Sequence, residues 1–192
     1  MARIVTADLI TEAAHVQLVD LVPAFAAALD LPPVSTWQQL PTVQALQSAV
    51  TPAGAIACPG LVGPPVKRRD GTYAATWRLV VAVYDRGATA TRDPAGYAST
   101  QKRAHRWAGV IRAAILADPT LGLDGIVETT TWVGEDFADN IDSKSVRTLS
   151  CAAVSFDVTV PVALDLLDVT NPPQPGPLVL TTDTRVTVRP RP

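Results

Sequence analysis

A chain of 192 residues, 47% hydrophobic and 18% charged, is long enough for one domain with a substantial core. Its formal net charge of -2 removes the electrostatic case for a tight grip on nucleic acid or another acidic partner. Two cysteines make no disulfide framework, Met1-Ala2-Arg3-Ile4 opens no signal-peptide h-region, and no apolar run approaches the ~18 residues of a membrane span, so a cytoplasmic protein without a membrane partner is expected.

Residues 6–30 read as a helix, with Leu9, Ile10, Ala13, Ala14, Val16, Leu18, Val19, Leu21 and Val22 in a broad apolar stripe. Pro23 predicts a kink or break, with a second piece over 24–30. Pro32-Pro33 ends it. Residues 34–38 are short and extended, and 41–50 form a short helix with proline at its start. Residues 53–59 form a strand closed by Pro59-Gly60. The loop 60–71 carries Lys67, Arg68 and Arg69 beside the turn signal Asp70-Gly71. A solvated loop tip accounts for these three charges; a contact with an acidic neighbour or a DNA backbone is the sharper reading.

The centre of the chain is a strand over 76–84. Trp77, Leu79, Val81 and Val83 share one face, and Arg78, Val80, Ala82 and Tyr84 the other, so both sides are largely apolar. Asp85-Arg86-Gly87 reads as an exposed turn. Asp93-Pro94 reads as an N-cap with proline in the first helical position. The following helix runs to about Ala117, stops before Asp118-Pro119, and turns Ala104, Ala108, Ile111 and Ile115 to the core.

A threonine-rich strand follows over 126–133. Residues 134–145 read as a polar, acidic loop or interaction surface holding Glu135, Asp136, Asp139 and Asp142. Residues 150–162 alternate with period two, with Ala152, Val154, Phe156, Val158, Val160 and Val162 facing one way, as in a half-buried antiparallel strand. Asn171 to Pro177 form a stiff proline-rich linker. Beyond it, Leu178, Leu180, Val186 and Val188 share one parity over 178–189. Such an arm adds to a sheet edge, its own or a neighbouring subunit's, and the neighbour is favoured.

No catalytic constellation is present. His15 and His105 stand alone on helices, without Cys, Asp or Glu at metal-ligand spacing. No nucleophile elbow, P-loop or dinucleotide fingerprint occurs. The acidic segment does not match a calcium loop. Cys58 and Cys151 read as small buried hydrophobes in strands. The four tryptophans fall one to an element, a core and interface pattern rather than a platform for bases. No catalytic residue, cofactor or metal is therefore assigned, and an enzyme is not expected.

Several stretches in order have the look of a known family. They are Ala57-Cys58-Pro59-Gly60, Arg69-Asp70-Gly71, the strand Thr76 to Val81 leading to Asp85-Arg86-Gly87, the helix ending Ile111 to Leu116, and Trp132-Val133-Gly134-Glu135-Asp136 before a strand ending Phe156-Asp157-Val158. Together, over residues 34–162, they resemble the tail terminator proteins of long-tailed bacteriophages, especially those of actinobacteria. The resemblance implies a homo-hexameric ring on the last ring of the tail tube. That ring stops tube growth and joins the tail to the neck and head. Its partners are itself, the tail-tube protein, the neck or head-completion protein, and genomic DNA passing through without sequence-specific binding. Its place is the head-tail junction of the virion, assembled in the host cytoplasm. A neck (stopper) protein or a tube subunit is the nearest alternative; a cellular binding module is the next.

With the elements above, the expected fold is α+β: an antiparallel sheet of about four strands with two main helices packed on it, spanning residues 1–170. Residues 171–192 add a proline-linked C-terminal β-arm. The expected inter-subunit contacts are Lys67, Arg68, Arg69 and Arg86, the acidic Glu135, Asp136, Asp139 and Asp142, and Leu178, Leu180, Val186 and Val188. Acidic and basic segments of neighbouring subunits pair across a rim in this reading and set register more than affinity.

Overall fold

The computed structural model describes residues 3–39, 50–90, 94–142 and 147–165. It is an α+β fold with two long helices over one sheet. In chain order the elements are β1 (Arg3–Ile4), α1 (Ala7–Ala28), β2 (Thr36–Gln39), β3 (Ala53–Leu61), β4 (Val66–Lys67), β5 (Tyr73–Ala90), α2 (Pro94–Ala117), β6 (Thr129–Asp142) and β7 (Arg147–Asp165). The sheet order is β1-β7-β5-β3-β2, with β6 also on β7 and β4 also on β5. The β2–β3 pair is parallel and every other pair is antiparallel.

Register decides which face meets the helices. Ile56, Val81 and Val154 fall in one cross-strand row, and Leu79 and Phe156 in another, all completely buried. Helix α2 lays Ala104, Trp107, Ala108, Ile111 and Ile115 on this face. Helix α1 contributes Ile10, Ala14, Leu18, Val22 and Ala26, a stripe repeating every fourth residue. Each large side chain fully buried in this way contributes about 1.5–3 kcal/mol. Helix α1 also caps α2. The Gln17 amide donates to the carbonyls of Ala114 (2.8 Å) and Ile115 (3.0 Å) in the last turn of α2 and to that of Asp118 (3.2 Å), which also accepts from the Leu121 N–H. The chain then turns on Asp118, whose carboxylate accepts from the Thr120 backbone and hydroxyl and from the Gly122 N–H. These bonds, the Thr120 hydroxyl first, hold its carboxyl below the usual value.

The other sheet face is lined by small side chains. Ala55, Ala82 and Ala153 form one row, and Ala57, Val80 and Ser155 the next. Arg78 and Asp157 pair across it at 2.7 Å. Cys58 is buried and Cys151 half-buried, both in strands and both free thiols.

The structure corrects five expectations. Helix α1 continues through Pro23, which points to the exposed side; Leu18, Val22 and Ala26 pack on either side of the missing N–H and hold the helix together. Strand β3 runs past Pro59 to Leu61, because a register shift between Ala57 and Gly60 absorbs the residue that cannot donate. Asp85-Arg86-Gly87 is not a turn but part of β5, paired with β7 at Asp85↔Ser150 and Arg86↔Leu149. The acidic stretch from Gly134 to Asp142 is not a loop but the distal part of β6, paired with β7 to Asp142↔Arg147. Finally, the sheet has seven strands rather than about four, because β1, β2 and β4 are too short to show periodicity. By length and composition α1 also suffices to cross a membrane, which the hydropathy reading did not credit; here its stripe lies in the core. Of the expected helix over 41–50 only Val50 is described, outside any helix, and the arm over 178–189 lies outside the described residues.

Candidate interaction surface

Strand β6 is an edge. Strand β7 pairs with it along one side, from Thr129↔Thr159 to Asp142↔Arg147, and among the described residues no strand takes the other side. Its apolar side chains are open to solvent: Trp132 is 45% exposed, Val133 48% and Phe137 41%. Val133 is the extra residue of a bulge, with register shifting between Trp132 and Gly134.

Helix α2 braces this edge from beneath. The Arg112 guanidinium lies 4.7 Å from the Trp132 ring centroid and pairs with Glu135 at 2.7 Å. The His105 and Phe137 rings are 4.2 Å apart at the centroids. One helix thus fixes three successive core-side positions of β6, which makes the edge a rigid surface.

A buried polar group fastens the neighbouring end of β5. The Asp85 carboxylate, 3% exposed as a residue, lies 3.2 Å from Arg103 Nε of α2. Arg103 also donates to the Arg86 carbonyl, and the Ser150 hydroxyl donates to the Asp85 carbonyl, both at 3.3 Å. Burial pushes the Asp85 carboxyl above its usual value, against the opposing pull of Arg103 and Trp107. The pair therefore tethers α2 to the strand that the sequence shows only as a polar tripeptide.

The expected contact residues divide by location. Lys67 ends β4, and Arg68 and Arg69 occupy the following turn; all three are exposed. That turn is fixed by Asp70, which accepts from the Thr72 backbone and hydroxyl. Arg86 is half-buried in β5, and its Nε is buried without a partner among the described residues. Glu135 is already paired internally with Arg112, so it is not a free contact. Asp136 is exposed on β6, and Asp139 and Asp142 continue the same strand. Leu178, Leu180, Val186 and Val188 lie outside the described residues.

The basic turn 67–69 and the acidic groups sit at opposite ends of the sheet, whereas Arg86, opposite Leu149 of β7, lies at the acidic end. Lys67 is level with Tyr73 and so with Leu164 of β7, whereas Asp136 to Asp142 are level with Ala153 to Arg147. At about 3.3 Å per residue this separation is roughly 35–55 Å. The two sets cannot meet within one subunit. Sequence reading placed Trp132 and Val133 at the end of the strand 126–133 and Phe137 in the loop 134–145, so it missed the three as exposed apolar residues of one edge strand. Gly134, an isolated glycine in a strand pattern, was the available signal for a bulge.

Among the described residues no group of three His, Cys, Asp or Glu side chains is placed to hold a metal. A surface groove of about 900 Å³ lies beside His15, Val16, Val19, Asp20 and Leu121, with no paired acid and base in it. No protein-family model matches the sequence, and no curated protein matches it.

Proposed function

We propose that this chain is a structural protein that assembles with copies of itself into a ring at the head-tail junction of a long-tailed phage, as a tail terminator. The observation that carries the reading is the segregation of contact groups. A ring needs two different, complementary patches on each subunit, because its contacts are head-to-tail. Here the exposed basic turn Lys67-Arg68-Arg69 and the acidic end of β6 lie at opposite ends of one rigid sheet. A neighbour rotated about a ring axis brings one against the other. The near-neutral subunit also suits a ring through which DNA slides, since a strongly basic lumen would bind and stall it. The family assignment itself rests on the resemblance over residues 34–162.

The test is electron microscopy of particles from a phage carrying a stop codon in this gene. Abnormally long tails beside filled heads are expected. Normal-length tails beside unattached heads would move the protein to the head side of the neck. Intact, infectious particles would overturn the proposal.

A further inference from the structure

The β6 edge and the C-terminal segment of the same chain fit one another. Strand β6 offers fourteen residues with one side unpaired among the described residues, whereas the opposite margin of the sheet ends in the four-residue β2. A long edge with exposed aromatic side chains is a template for strand addition, and folded proteins normally blunt or fill it. Residues 178–189 have almost the same length. They place Leu178, Leu180, Val186 and Val188 on one parity, alternate apolar and polar over Arg185 to Arg189, and contain no proline. Their charge is complementary as well. Besides Glu135, which Arg112 already pairs, strand β6 holds Asp136, Asp139 and Asp142 and no Lys or Arg, whereas Arg185, Arg189 and Arg191 outnumber Asp183 at the C-terminus.

We infer that residues 178–189 of one copy add as a strand to the free edge of β6 in a second copy. Strand β7 ends at Asp165, paired with Arg3, and β1 lies on the same side of β7 as β6 because β5 occupies the other side. To reach the β6 edge of its own chain, the segment would have to double back within two strand spacings, roughly 10 Å. Between Asp165 and Leu178 the chain passes through Pro172, Pro173, Pro175 and Pro177. Proline-rich sequence extends at about 3.1 Å per residue and is stiff over several residues, so Asn171 to Pro177 make a spacer of roughly 20 Å. The apolar parity then covers Trp132 and Phe137 while the arginines meet the acidic end of β6. The inference rests on the self-association in the ring reading but not on the phage setting.

The experiment uses the full chain with Phe137 replaced by the photocrosslinking residue p-benzoylphenylalanine, and a second chain with the same residue at Val133 should the first fail to fold. After irradiation, denaturing gels report chains joined to one another, and mass spectrometry of the digest reports the attachment site. The expected result is covalent species at multiples of the 20.2 kDa chain, with adducts within residues 178–189. The double variant Arg185→Glu, Arg189→Glu should lower the adduct yield roughly five- to tenfold. Raising salt from about 0.05 to about 0.5 M, which shortens the screening length roughly threefold, should also lower it. Adducts to 178–189 confined to single chains would overturn the second-copy assignment. Adducts elsewhere, or none from either position in a folded chain, would overturn the contact itself. Light scattering separates this from the ring reading: an oligomer that persists without the adduct removes the arm contact alone, and a monomer at every concentration removes both.

Discussion

Replacing Arg103 by methionine removes the charge facing a buried carboxylate while keeping most of the packing volume. Arg103 Nε lies 3.2 Å from Asp85, and the two side chains are 26% and 5% exposed. At an effective dielectric constant of about 20, the gross attraction at that distance is about 5 kcal/mol. Water reaching Arg103 takes back part of it, so the expected loss at pH 7 is about 2–3 kcal/mol, below the usual figure for breaking a fully buried pair. The dependence on pH is the sharper signature. Burial already holds the Asp85 carboxyl above its usual value, with Arg103 opposing. A carboxyl raised on folding contributes stability that is present below its unfolded pKa and lost as pH rises through its folded pKa. Removing Arg103 raises the folded pKa further. The penalty should therefore be largest near pH 7 and shrink as acid protonates the carboxyl in both proteins. Urea unfolding followed by tryptophan emission measures this, since Trp107 lies in the core beside the pair. The double variant Asp85→Asn, Arg103→Met should recover most of the loss. A penalty below about 0.5 kcal/mol at pH 7, or one that does not shrink in acid, would refute the reasoning.

Three further outcomes follow from the same contacts. A Cβ on Gly54 would overlap the ring of Trp37, its partner in the parallel β2–β3 pair; Gly54→Ala should destabilise by about 1–3 kcal/mol in denaturant, and Trp37→Ala should relieve part of the clash in a double-mutant cycle. Arg112→Ala removes both the Glu135 ion pair and the contact with Trp132; it should cost about 1 kcal/mol and make tryptophan emission easier to quench with acrylamide, and unchanged quenching would contradict the bracing of β6. Burial raises the Cys58 thiol, and burial raises the Cys151 thiol beside the Tyr84 hydroxyl, itself pushed up by burial to about 12. Both cysteines should react with a thiol reagent at pH 8 at least roughly tenfold more slowly in the native chain than in urea, and rapid labelling of either native thiol would show the strands to be open.

Local pattern carried the helices and the middle of each long strand. The stripe of Ala104, Ala108, Ile111 and Ile115 and the two-residue alternation of Ala152 to Val160 each mark a face that is buried as expected, whereas of the broad α1 stripe Ile10, Ala14, Leu18 and Val22 are buried and Val16 and Val19 are exposed. Turn chemistry carried Asp70-Gly71 and the stop at Asp118-Pro119. These features depend on neighbours a few residues apart, and the chain records them directly. The same is true of the polarity of the contact segments. Lys67, Arg68 and Arg69 are exposed, as their sequence neighbourhood indicates.

The ends of the strands were decided by distant partners. Asp85 and Arg86 resemble a turn until Arg103, on the next helix, neutralises Asp85 and β7 supplies the ladder. Glu135 and Asp136 resemble a loop until β7 extends beside them and Arg112 holds Glu135. Pro23 resembles a break until the core holds both halves of α1. In each case a locally unfavourable residue is kept in a regular element by contacts formed only on folding. The sequence by itself determined the fold class, the main elements and the charges available for contact. Only the tertiary structure decided that β6 is an edge among the described residues, that Glu135 is already paired with Arg112, and that the basic turn 67–69 lies at the opposite end of the sheet from Asp136 to Asp142. Those facts follow from register and strand order, which pair residues far apart in the chain and leave no periodic trace in it.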